Sequence, residues 1–94
     1  MVKHYKISIS GKVQGVFFRK SASKKAKELG VAGIVLNKPE GSVYIEAEAE
    51  EAVLGEFIVW CKRGPIGAKV EDVNIFEGDL VNYDQFEIIR SNNS

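Results

Sequence analysis

The segment Gly11-Lys12-Val13-Gln14-Gly15-Val16-Phe17-Phe18-Arg19-Lys20 combines two glycines with an arginine. That combination suits anion binding. Gly11 and Gly15 let the backbone curl so that successive N–H groups point inward, and a helix beginning at the arginine contributes its positive end. Arg19 then adds a forked, permanently charged donor. Phosphate or carboxylate is the expected guest.

Other reactive side chains have structural readings. Cys61 is the single cysteine and His4 the single histidine, which excludes an intrachain disulfide and argues against a structural zinc site. Cys61 and its neighbour Trp60 fall on an apolar helical stripe and read as core, with the cysteine a small buried hydrophobe and not a nucleophile. His4 opens a strand and reads as a surface residue. Glu46, Glu48 and Glu50 alternate along a strand, so they are expected on its exposed face, serving solubility and edge protection. Phe17 and Phe18 are adjacent and cannot both turn to the core, which leaves one for the mouth of the anion site.

The elements that must position these groups follow from hydrophobic period. Tyr5, Ile7 and Ile9 alternate with Lys6, Ser8 and Ser10, predicting a strand over 3–10. Ala22, Ala26 and Leu29 recur at helical spacing and Gly30 ends the run, predicting a helix over 19–29. The apolar run 31–36, the turn Asn37-Lys38-Pro39-Glu40-Gly41 and the alternating stretch from Val43 to Ala49 read as a hairpin. Val53, Leu54, Phe57, Ile58, Trp60 and Cys61 form one side of a helix over 51–63, stopped by Gly64-Pro65. Val70, Val73 and Ile75 suggest a further strand, and Phe86, Ile88 and Ile89 a short last one. Residues 91–94 are a polar tail, expected to fray.

Strand, helix, strand, strand, helix, strand is the α+β ferredoxin-like order, βαββαβ, with both helices on one face of an antiparallel sheet of four to five strands. Ninety-four residues make one domain, taken as 1–90 plus the tail. Apolar residues at 45% and charged residues at 28% are ordinary for a globular chain. No apolar run reaches the roughly 20 residues of a membrane span, and no signal segment opens the chain, so a cytoplasmic protein is expected. Net charge is zero, yet residues 1–27 carry Lys3, Lys6, Lys12, Arg19, Lys20, Lys24, Lys25 and Lys27 with no acid. A basic field around the loop would draw in small anions. Nucleic acid is disfavoured, because Ser8, Ser10, Glu46 and Glu48 occupy the open sheet face where an RNA-binding module needs aromatics. A regulatory small-ligand domain of the same topology is the stronger rival to an enzyme.

At this point the chain resembles the acylphosphatase family, enzymes of this fold that hydrolyse the carboxyl–phosphate bond of acyl phosphates. Ile9 to Arg19 is similar to the family's first signature. Gly33-Ile34-Val35-Leu36-Asn37 with Gly41 and Val43 is similar to its second, and Trp60 to Pro65 is a further familiar segment. The resemblance implies that Arg19 binds phosphate and that Asn37 positions the attacking water. Backbone amides of Gly15, Val16, Phe17 and Phe18 would complete the phosphate cradle. It implies no cofactor, no metal, no membrane and no nucleic acid: a monomer taking a small acyl phosphate and releasing inorganic phosphate. Ile34 and Leu36 stand where the family usually has an aromatic and a basic or polar residue; the departures bear on substrate preference and catalytic strength, because Leu36, beside Asn37 in sequence, would remove a supporting charge from the rim.

Overall fold

The computed structural model describes residues 1–90, and the tail expected at 91–94 lies outside the described residues. The order is β1 (Val2–Lys12), α1 (Phe18–Leu29), β2 (Ala32–Asn37), β3 (Val43–Glu50), α2 (Glu51–Arg63), β4 (Lys69–Gly78) and β5 (Phe86–Ile89). The strands form one sheet in the order β4-β1-β3-β2-β5. Both helices lie on one face. No helix among the described residues is long and apolar enough to cross a membrane.

Alternation builds the core. Ile7 and Ile9 of β1 stand opposite Ile45 and Val43 of β3, all fully buried, and Val35 of β2 joins them. Ala22 and Ala26 of α1 are small enough to let that helix lie close to the sheet, while α2 contributes Leu54, Phe57, Trp60 and Cys61. Phe57 stacks on Trp60 with centroids 6.3 Å apart, and Phe18, the first residue of α1, meets the same indole edge-on at 5.4 Å. Phe18 therefore anchors the start of α1 in the core, fixing whatever its N-terminus presents.

The sheet is mixed, which corrects the expectation of an antiparallel one. β1, β2, β3 and β4 pair antiparallel, but β2 and β5 run parallel, with Gly33 beside Phe86 and Leu36 beside Ile89. The reason is topological. β4 lies on one edge and β5 on the other, so the connection must traverse the sheet, and one reversal leaves β5 running with β2. That connection crosses the face opposite the helices, where the N–H groups of Val81, Asn82 and Tyr83 donate to the carboxylate of Glu48 on β3.

Candidate active site

The loop from Val13 to Phe17 links β1 to α1. Gly15 adopts φ 76°, and Phe17 takes a left-handed φ of 60° and ψ of 30°, a conformation that costs a side-chain-bearing residue about 1 kcal/mol or more. A left-handed residue followed by the helical Phe18 makes successive N–H groups converge on a concave surface that suits an anion. No side chain caps α1, and the first bond that closes on Phe17 runs from the Ser21 N–H at 3.0 Å. The amides of Phe18, Arg19 and Lys20 thus have no acceptor among the described residues.

The first turn of α1 holds Arg19 and Lys20 and no acid. Cations there oppose the helix dipole, an arrangement an anion would relieve. Arg19 is half-buried and has no ion-pair partner among the described residues.

Asn37 is the last residue of β2. It stands opposite Val43, which is buried beneath the helices, so its side chain leaves the sheet on the α1 side. Gln14 fastens the two segments together, its Nε2 donating to the carbonyls of Lys38 at 2.8 Å and Ser42 at 2.9 Å. The result is a cleft of about 510 Å³ lined by Val13, Gln14, Gly15, Phe17, Phe18, Arg19, Lys20, Asn37, Ile88 and Arg90.

Five of the six residues singled out in the sequence meet in this cleft: Arg19, Asn37, Gly15, Phe17 and Phe18. Phe17 is 79% exposed at its mouth while Phe18 is buried. Val16 does not line the cleft, because its half-buried side chain packs on the core beside Gly67. Leu36 also differs from expectation. It stands opposite Tyr44, on the sheet face away from the helices, so it takes no charge from the rim. Gly33 is scaffold, since any side chain there would run into the Glu46 carbonyl.

Sequence reasoning missed Val13, Gln14, Lys20, Ile88 and Arg90 as lining residues. The signal for Arg90 was present but faint: once Ile88 faces the helices, strand alternation returns that side of the chain two residues later. No carboxylate and no histidine is among the lining residues, so among the described residues nothing in the cleft neutralises Arg19, Lys20 and Arg90.

A second polar cluster lies on the opposite sheet face, and it overturns two surface assignments. His4 is only 1% exposed. Its Nδ1 is 2.8 Å from Glu48 Oε2, and its Nε2 is 2.9 Å from Glu46 Oε1, within ion-pair distance but out of hydrogen-bonding alignment. Glu48 is buried beneath the 81–83 segment, Glu46 is half-buried and accepts from Tyr44 and Tyr83, and Glu50 alone is exposed as expected. Burial by itself would raise both carboxyls. The donors outweigh it: Tyr44, Tyr83 and His4 hold Glu46 below its ordinary value, and the Val81, Tyr83 and Asn82 amides with His4 do the same for Glu48. Cys61 behaves as expected, its thiol pushed up to about 12 by burial and so unreactive at neutral pH.

The fold and the cleft together define a ferredoxin-like α+β domain with a cationic loop at the start of its first helix. The sequence model of the acylphosphatase family matches residues 5–88, and the chain belongs to that family. It is 44% identical over 82 residues to the acylphosphatase of Archaeoglobus fulgidus, covering 87% of this chain and 92% of that one. The solved acylphosphatase of Coxiella burnetii superposes with a TM-score of 0.91 at 38% identity, covering 94% and 93% of the two chains. That of Bacillus subtilis superposes with a TM-score of 0.90 at 36% identity, covering 95% and 99%.

Proposed function

We propose that this chain hydrolyses the carboxyl–phosphate bond of acyl phosphates, with Arg19 and the loop amides from Gly15 to Arg19 holding the phosphoryl group and Asn37 placing the water. The observation that carries this reading is the cleft itself, where a half-buried guanidinium with no ion-pair partner and three amides with no acceptor among the described residues share one space with a carboxamide. A carboxylate leaves readily, so no acid is needed to protonate it. What remains is positioning and stabilisation of charge on the transferring phosphoryl group, which a preorganised arginine and fixed amides supply.

The step balances without a further reactant. The water oxygen forms a bond to phosphorus as the bond from phosphorus to the carboxylate oxygen breaks, and the electron pair leaves with the carboxylate. One water proton passes to a phosphoryl oxygen, so an acyl phosphate dianion and water give a carboxylate and dihydrogen phosphate. Asn37 orients the water by hydrogen bonding but is no base. The phosphoryl group is therefore its own proton acceptor, in keeping with a cleft lined by neither histidine nor carboxylate. Turnover is then expected to vary little across roughly pH 5 to 8, and a bell with two sharp ionisations in that range would sink this proton route.

The deciding experiment is hydrolysis of benzoyl phosphate in the presence of a chelator by the native chain, Arg19→Ala and Asn37→Ala. Arg19→Ala should lose about a thousandfold in kcat/KM and also its affinity for inorganic phosphate. Asn37→Ala should lose turnover yet still bind phosphate. No hydrolysis by folded native protein would favour a ligand-binding regulator instead. The same reading includes a monomer working in the cytoplasm on a small molecule, with no nucleic acid or membrane partner, and sedimentation of the purified chain tests the monomer.

A further inference from the structure

We infer that Arg90 is a second phosphate-binding cation of this cleft, holding phosphoryl oxygen on the side from which Asn37 presents water; the inference deepens the acyl phosphate reading and rests on it. The register supplies the position. β2 and β5 run in parallel step from Gly33 beside Phe86 to Leu36 beside Ile89; Asn37 ends β2 and Arg90 directly follows β5, so each continues from that last pair, and both line the same cleft. Alternation supplies the direction. Ile88 packs toward the helices and lines the cleft, and Arg90, two residues on, lines it too.

Chemistry supplies the role. In the transition state charge spreads over three equatorial phosphoryl oxygens, and one guanidinium fork reaches two of them. Arg19 belongs to α1, whereas Arg90 follows the edge strand β5, so two different elements bring a guanidinium fork to the cleft. Among the described residues, Arg90 has no carboxylate within ion-pair distance and no acid lines the cleft. A role at the acyl group fits the geometry less well. Displacement is in line, so the leaving carboxylate departs on the side away from the entering water and hence away from the strand pair that carries Asn37 and Arg90. Because Arg90 is solvent-exposed, its ordering on binding costs side-chain entropy, and its contribution falls below that of Arg19.

Calorimetric titration with inorganic phosphate and hydrolysis of benzoyl phosphate, each for the native chain, Arg90→Ala and Arg90→Lys, test this. Arg90→Ala should weaken phosphate binding and lower kcat/KM each by about tenfold, and Arg90→Lys should recover part of both, because it keeps the charge and loses the fork. The unliganded melting temperature should not move, since the side chain is exposed. Unchanged phosphate affinity in Arg90→Ala would overturn the inference. So would a loss confined to a substrate whose acyl group carries its own carboxylate, which would place Arg90 at the acyl end. If the native chain bound phosphate but hydrolysed nothing, the acyl phosphate reading would fail, while the phosphate titration would still decide whether Arg90 is a ligand.

Discussion

The two faces of the sheet each hold a cluster of charged residues, and the clusters are built in opposite ways. On the open face, Glu48 accepts three backbone N–H groups and a histidine, and Glu46 accepts two tyrosine hydroxyls. On the helix side, Arg19, Lys20 and Arg90 gather around a cleft that, among the described residues, has no carboxylate and whose neighbouring amides have no acceptor. The chain itself partners the first cluster, apart from His4 Nε2, which stands near Glu46 out of alignment, whereas the second meets no acidic partner among the described residues. Polar groups whose partners are all supplied by the chain secure the fold, whereas groups left without partners in a preformed cleft are stabilised only by what binds there. The comparison also separates their consequences: damage to the first should show in stability, and damage to the second in turnover.

The largest expected stability effect is at Glu48. Glu48→Ala strands three backbone N–H groups and leaves buried His4 without its best-aligned partner, which should cost about 3 kcal/mol and lower the melting temperature by roughly 15 °C. The kcat of the fraction that remains folded should stay near native, as the cleft lies on the other side of the sheet. A Glu48→Ala protein with native stability would dissolve the distinction drawn between the faces.

A smaller effect follows from pH. Glu46 and Glu48 titrate below the ordinary carboxyl value of 4.5 in the folded chain, so folding is favoured by their ionisation. That contribution is present above the unfolded value and is lost as pH falls through the lowered folded values. Melting temperature should therefore drop steeply as the medium is acidified below about pH 4.5, and Glu48→Gln should flatten the drop while starting from a lower plateau. An equally steep fall in Glu48→Gln would assign the acid sensitivity to other carboxylates.

How far the sequence revealed each cluster depends on whether its contacts are local. The cleft was largely legible because Gly15, Phe17, Phe18 and Arg19 are contiguous: a loop that curls and a helix that starts are local events with local signals. Helix α2 was legible over its full length for a related reason, a wide apolar stripe with a glycine-proline stop. The His4 cluster was not. Alternation along β1 does place His4 away from the helices, but that side reads as solvent until the 81–83 segment is known to cross it, a contact between residues far apart in the chain. Arg90 was hidden by the same kind of distance. Its place in the cleft with Asn37 depends on the parallel pairing of a four-residue strand, and so short a run carries no directional signal of its own.

The subtlest effect sharpens the contrast from the cleft side. Lys20 is exposed in the first turn of α1, where a cation opposes the helix dipole and adds to the repulsion from Arg19. Lys20→Glu should therefore stabilise the unliganded chain by about 0.5 kcal/mol, read as a small rise in melting temperature at low salt. The same substitution puts a carboxylate at the edge of an anion site, so phosphate should bind more weakly and kcat/KM for benzoyl phosphate should fall. Added salt should shrink both changes together, because each is a charge effect at a solvent-exposed position. A gain in stability coupled to a loss in turnover is what an incomplete cluster predicts, since the strain it carries when empty is the affinity it offers a guest. If Lys20→Glu instead lowered stability, the helix start would have to be stabilised by packing of the lysine stem, and the view of this cluster as electrostatically unfinished would lose one of its supports.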